Sequence, residues 1–128
     1  MLFRSELHGA KDADSTIVFL NGLSQSTASW LGIAPQFYSA HRVLLCDLIF
    51  QGQSDAADSF RSYDEHAADV HHLIRSNCSG RVILCGISYG SAVAQHLIVN
   101  YPGEYSGAIL LSTFAHDTEE FKIGRAHV

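Results

Sequence analysis

Val82-Ile83-Leu84-Cys85-Gly86-Ile87-Ser88-Tyr89-Gly90 runs from a short apolar segment into G-x-S-x-G and then into helix-compatible residues 91–100. Four consecutive apolar residues of this kind read as a buried strand. A strand, a sharp turn and a helix with a serine at the apex form a nucleophile elbow, which presents one hydroxyl above a buried sheet. The glycines have a steric task. A serine on such a turn holds a strained backbone, and the residues two positions away crowd together, so Gly86 and Gly90 must be small. Five letters alone match by chance in about a few per cent of chains this long. The flanking strand and helix make the match specific.

Outward from this segment, the chain alternates. Thr16-Ile17-Val18-Phe19-Leu20, Val43-Leu44-Leu45-Cys46 and Ala108-Ile109-Leu110-Leu111 are further apolar runs, each the signature of a strand covered on both faces. Residues 2–7 have strand-like content, and His8-Gly9-Ala10-Lys11-Asp12 reads as a turn. Residues 21–29 and 47–61 read as loops, with a helix expected over 30–39 despite Pro35. Ser62 and Glu65 form a capping-box pattern, and Ala67, Val70, Leu73 and Ile74 then share one helical face. Gly80 stops that helix, with Arg75 in its last turn, and Pro102-Gly103 ends the helix after the elbow. Four short buried strands alternating with helices predict a mostly parallel α/β sheet with right-handed crossovers.

Composition narrows the class. At 128 residues the chain holds at most one domain, and 47% hydrophobic with 16% charged residues describes a globular core. A net charge of -5 gives no support for nucleic acid or an anionic membrane as partner. No apolar run approaches the roughly 20 residues of a membrane span, and the first residues lack a signal peptide's layout, so a cytoplasmic location is expected. Cys46, Cys78 and Cys85 are odd in number and match no zinc spacing. Cys46 and Cys85 end apolar strands and read as buried hydrophobes, Cys78 as a loop thiol. No metal and no cofactor is expected; the expected partner is a small-molecule acyl substrate.

These landmarks resemble the α/β-hydrolase family in order over residues 2–113. Phe19-Leu20-Asn21-Gly22-Leu23 is similar to the family's strand and oxyanion loop, with Asn21 where the family usually carries histidine. Trp30 sits where the family often carries an aromatic. Asp47-Leu48-Ile49-Phe50-Gln51-Gly52-Gln53-Ser54 resembles the family's D-x-x-x-x-G-x-S turn, and residues 86–90 are the elbow. The resemblance implies the N-terminal portion of an α/β-hydrolase fold whose C-terminal strands are missing. A narrower likeness is to the bacterial acyltransferases that make the lipid precursor of rhamnolipids. It rests on Asn21-Gly22, on Ser26-Thr27-Ala28-Ser29-Trp30, and on the Asp47 turn.

By this resemblance Ser88 attacks an acyl carbonyl and forms an acyl-enzyme, with the backbone N–H groups of Leu23 and Tyr89 as the oxyanion hole. The second step then uses water in a hydrolase or an alcohol in an acyltransferase taking thioesters from acyl carrier protein. A serine at position 88 argues against dehalogenase or epoxide hydrolase chemistry. The resemblance places the acid and histidine of the triad after the elbow, usually far downstream. Asp117 and His127 are the candidates in this chain, and neither is assigned as a triad member. Ile123-Gly124-Arg125-Ala126-His127-Val128 is what ATC GGA AGA GCA CAC GTC encodes, a common sequencing-adapter string, with a chance probability on the order of one in ten million. Residues 1–122 are therefore expected to be a truncated α/β-hydrolase domain and 123–128 an adapter-encoded tail. Such a fragment, with no base and an uncovered strand, is expected to be an inactive, poorly soluble rival to the enzyme reading.

Other polar residues have plainer readings. His71-His72 point in different directions on a helix and read as a solvated face. His66 and Asp69 are three apart without a third ligand. His96 reads as packed or half-exposed, His8 and His41 as element ends. Asp55, Asp58, Asp64, Glu65, Glu119 and Glu120 read as solvated carboxylates, Trp30 and Phe37 as core.

Overall fold

The computed structural model describes residues 4–52, 54 and 61–113. Leu2, Gln53, Asp55, Asp58, Asp117, Glu119, Glu120, His127 and the tail 123–128 lie outside the described residues. Five strands form one sheet: β1 (Ser5–Gly9), β2 (Ser15–Leu20), β3 (Arg42–Cys46), β4 (Arg81–Ile87) and β5 (Gly107–Leu111), in the order β1-β3-β2-β4-β5. The register pairs Leu20 with Cys46 on one side and with Gly86 on the other, all parallel. β5 continues the parallel ladder from β4, while β1 pairs antiparallel with β3. The mostly parallel sheet is the predicted fold class.

Every residue of β2 is buried, as a central strand covered on both faces requires. Alternate side chains divide into two cores. Val18, Leu20, Leu44, Val82 and Leu84 pack against α1 (Tyr63–Asn77) and α2 (Tyr89–Asn100) through Ala67, Val70, Ile74, Val93 and Leu97. Ile17, Phe19, Val43, Leu45 and Cys85 face the other way, onto Trp30 and Ala34. Each fully buried aliphatic side chain contributes about 1.5–3 kcal/mol of transfer free energy. α1 starts as the sequence predicts: Glu65 N–H donates to Ser62 Oγ at 3.1 Å, and Ser62 N–H to Glu65 Oε1 at 3.2 Å.

Three local expectations change. No α-helix covers 30–39. Two 3-10 turns, Thr27–Trp30 and Ala34–Phe37, stand there instead. Pro35 has no N–H for the carbonyl four residues back, and its ring collides with that carbonyl, so a continuous helix cannot pass. β1 extends to Gly9, so His8 lies in the strand and the turn follows it. β5 stands at the sheet edge among the described residues, the uncovered strand expected of this chain, but it is not buried on both faces: Ile109 and Leu111 are about half exposed.

Candidate active site

β4 continues through Gly86 and Ile87, and α2 begins at Tyr89, so Ser88 is the single residue between strand and helix. Its backbone sits at φ 51° and ψ −112°, a conformation that side-chain-bearing residues rarely adopt. Neighbours hold it there. Ser88 N–H donates to Leu111 O on β5 at 2.8 Å, and Ser88 O accepts from Ser91 N, Ala92 N and Ser91 Oγ at 3.0, 3.2 and 2.6 Å. The first turn of α2 carries no acidic residue, so the positive end of the helix dipole lies unneutralised behind Ser88.

The elbow glycines show why a side chain is excluded. A β-carbon on Gly86 lies 2.5 Å from Gly90 O and 2.8 Å from Ser91 N. One on Gly90 lies 2.2 Å from Leu20 O and 2.7 Å from Asn21 O. Both sets of neighbours are backbone, which cannot swing aside. The second contact also draws the start of α2 against the end of β2, so the loop after β2 lies beside the elbow. A β-carbon on Gly22 comes within 3.6 Å of Ile87 O.

That loop is held by a buried polar network. Asn21 is fully buried; its Nδ2 donates to Cys46 O at 3.1 Å, Asp47 Oδ1 at 3.2 Å and Gln51 Oε1 at 3.3 Å. Trp30 Nε1–H donates to Asn21 Oδ1 at 2.7 Å. Asp47 Oδ1 also accepts Thr27 N–H at 2.8 Å, and Asp47 O accepts Ser54 Oγ–H at 2.6 Å. The asparagine at position 21 thus ties three segments together: the loop after β2, the aromatic at Trp30 and the Asp47 turn. A carboxamide has both a donor and an acceptor for this task. Gly52, at φ 48°, passes so close to Asp47 that a β-carbon lies 2.1 Å from Asp47 Oδ2.

The five residues expected at the site fall in one region. Ser88, Tyr89, Gly86 and Gly90 form the elbow, and Leu23 projects from the adjoining loop, 41% exposed. Among the described residues, neither Leu23 N–H nor Tyr89 N–H has a hydrogen-bond partner. Tyr89 is half-buried, and burial pushes its phenol above the usual range. No described histidine hydrogen-bonds the Ser88 hydroxyl. His96 pairs with Asp64 at 2.7 Å, His8 with Glu6 at 3.2 Å and His41 with Ser15 at 2.6 Å. His71 is not on a solvated face: it stacks on Tyr101 at 3.6 Å and meets Tyr105 Oη at 2.6 Å. Asp69 pairs with Arg61. Among the described residues no three His, Cys, Asp or Glu side chains are grouped to hold a metal. No described helix is long and apolar enough to cross a membrane.

Gln25 has no place in the sequence motifs, and Phe50 and Gln51 stand in the Asp47 turn only as unassigned positions. Gln25 Oε1 accepts Gly22 N–H at 2.8 Å, and Gln51 Nε2 donates to Gly22 O at 3.0 Å. Phe50 takes φ 75° and is half exposed beside them. Cys46 is sealed in, its thiol pushed up to about 12 by burial and then by Asp47, and burial likewise raises Cys85. Cys78 is the loop thiol expected, in extended backbone directly after α1, where it is half-buried and burial raises it too.

The profile of the alpha/beta hydrolase fold matches residues 15–127, and the chain belongs to that family. Among curated proteins it is similar to epoxide hydrolase 4 of Mus musculus, 29% identical over 102 residues, which cover 78% of this chain and 28% of the relative. Among solved structures it is similar to MGS-M2, an alpha/beta hydrolase enzyme from a Medee basin deep-sea metagenome library. That match has a TM-score of 0.89 and 25% identity over 97% of this chain and 46% of the other. Est816, an N-acyl homoserine lactone degrading enzyme, matches with a TM-score of 0.79 and 26% identity over 86% of this chain and 41% of the other. The chain thus spans less than half the length of each.

Proposed function

We propose that Ser88 is the nucleophile of a serine-dependent hydrolase acting on a carboxylic ester or related acyl compound. The single observation that carries this is the strained Ser88 backbone between β4 and α2. Strain of this kind survives where its surroundings enforce it, and it collects at reacting centres. Ser88 Oγ adds to the acyl carbonyl as a base takes its proton. The tetrahedral intermediate collapses to an acyl-serine, and the alcohol leaves with that proton. Water then adds to the acyl-serine and releases the acid. The oxyanion of each intermediate receives hydrogen bonds from Leu23 N–H and Tyr89 N–H, both unpaired among the described residues, at the positive end of α2. The acid and the histidine base belong to polypeptide outside the described residues.

The likeness to an epoxide hydrolase does not extend to the nucleophile's product. A serine that opens an epoxide forms an alkyl ether, which water does not cleave at neutral pH, so such a reaction stops after one turn. A serine that opens an ester forms a new ester, which water does cleave. Position 88 therefore favours acyl chemistry.

The test is turnover of p-nitrophenyl esters by the full-length polypeptide carrying this chain, with Ser88→Ala in parallel. A fall of at least about a thousandfold in the variant supports the reading. Equal turnover by both proteins overturns it. Product analysis in the presence of a hydroxyacyl acceptor separates the two second steps: free acid means hydrolysis, and a new ester means acyl transfer.

A further inference from the structure

The structure assigns Gln51 as a positioning residue that sets the direction of the Leu23 N–H through the Gly22–Leu23 peptide; this rests on the acyl-enzyme reading above. The carbonyl of Gly22 and the N–H of Leu23 belong to one planar trans unit and point in opposite directions. Whatever fixes the carbonyl fixes the N–H. Gln51 Nε2 donates to Gly22 O at 3.0 Å, and Gln25 N donates to the same oxygen at 3.2 Å. The preceding peptide is held too, by Gly22 N–H on Gln25 Oε1 at 2.8 Å.

Gln51 is itself fixed. The residue is 7% exposed, and Oε1 accepts Leu48 N–H at 3.0 Å and Asn21 Nδ2–H at 3.3 Å. Two donors on one atom identify it as the oxygen and leave the nitrogen for Gly22, so the amide cannot flip. The residue before Gln51, Phe50, holds a left-handed backbone at φ 75°, and Gln51 is buried. Donation to Gly22 O also polarises the peptide and makes Leu23 N–H a stronger donor. A residue 28 positions along the chain from Leu23 thereby governs a group that Ser88 chemistry uses.

Gln51→Glu isolates this bond. The introduced carboxylate keeps the shape and both acceptor contacts but cannot donate to Gly22 O. Protonation at lower pH restores a donor. In the full-length polypeptide, kcat for a p-nitrophenyl ester is expected to fall about tenfold to a hundredfold near pH 8 with KM within about twofold. The ratio of variant to wild-type kcat is expected to climb toward one as pH falls toward about 5, a ratio from which the base's own titration cancels. Gln51→Met, which has no donor at any pH, is expected to lose the same activity without that recovery. Equal kcat at every pH, the same recovery in the Met variant, or unfolding of both variants would overturn the assignment. Ser88→Ala in the same series separates the two ideas. If it retains turnover, the acyl-enzyme reading fails. If it loses turnover while Gln51→Glu does not, only the role of Gln51 fails.

Discussion

The indole N–H of Trp30 donates to Asn21 Oδ1 at 2.7 Å, and Phe19 packs against the same indole at 4.7 Å between ring centroids. The aromatic that the sequence marks as core thus has a polar duty as well. Trp30→Phe keeps most of the packing but strands a fully buried carbonyl oxygen. Its stability is expected to drop by about 1–3 kcal/mol, read as a lower urea midpoint with an unchanged slope.

Gly90 and Gly107 make a contrasting pair. An added methyl at Gly90 meets the backbone oxygens of Leu20 and Asn21, whereas at Gly107 it meets nothing within 4 Å. Gly90→Ala is expected to destabilise by about 3 kcal/mol or more, because the start of α2 must move off β2. Gly107→Ala is expected to be neutral or slightly stabilising, since alanine loses less backbone freedom in a strand. Thermal melts of the two variants check the contrast.

These glycines also mark what the sequence could reveal. The steric demand at Gly86 is local, since it comes from Gly90 and Ser91, whereas at Gly90 it comes from Leu20 and Asn21 at the end of β2; the five letters and their flanks announce both glycines, but not the second cause. The buried runs that became β2, β3 and β4 were equally legible, because continuous apolar strands need two covered faces; β5 was legible as a strand, but its residues are mostly exposed. The Gly22–Gln51 bond joins residues 29 apart, and no periodicity points to it. Asn21 looked like a departure from a pattern until Trp30, Cys46, Asp47 and Gln51 were seen around it. His71 read as solvated because its stacking partner, Tyr101, lies on another segment.

His66 is 4% exposed, its Nδ1 has no hydrogen-bond partner among the described residues, and its ring meets Tyr89 edge-on at 5.6 Å. Burial holds it below its ordinary value of 6.5; Asp69 and Glu65 pull upward and Arg61 downward. The Tyr89 ring, from α2, is the titratable group facing it across the helix interface. A group whose folded pKa is depressed stays neutral in the folded state while the unfolded chain takes up a proton. Stability therefore falls as pH drops below about 6.5, down to the folded value, and is regained on raising the pH. His66→Phe is expected to flatten that part of the stability curve, measured by denaturant titration between about pH 7 and pH 5. A curve unchanged by the substitution would contradict it.

Phe50 occupies φ 75° while half exposed. A side chain in this region strains the backbone by about 1 kcal/mol or more, and a β-branched one by more still. Phe50→Gly is expected to leave stability unchanged or raise it by up to about 1 kcal/mol, the gain tempered by glycine's freer unfolded chain. Phe50→Val is expected to lower it by about 1–2 kcal/mol. Melting temperatures in that order check the strain.

The central claim concerns one oxygen atom. The full-length polypeptide is treated with a fluorophosphonate, which captures an activated serine as a covalent adduct, and the digest is analysed by mass spectrometry. The account predicts a stoichiometric adduct on the peptide containing Ser88, lost in Ser88→Ala and blocked by prior incubation with a reversible trifluoromethyl ketone. An active protein labelled at another residue, or turning over esters with Ser88 unlabelled, would contradict it.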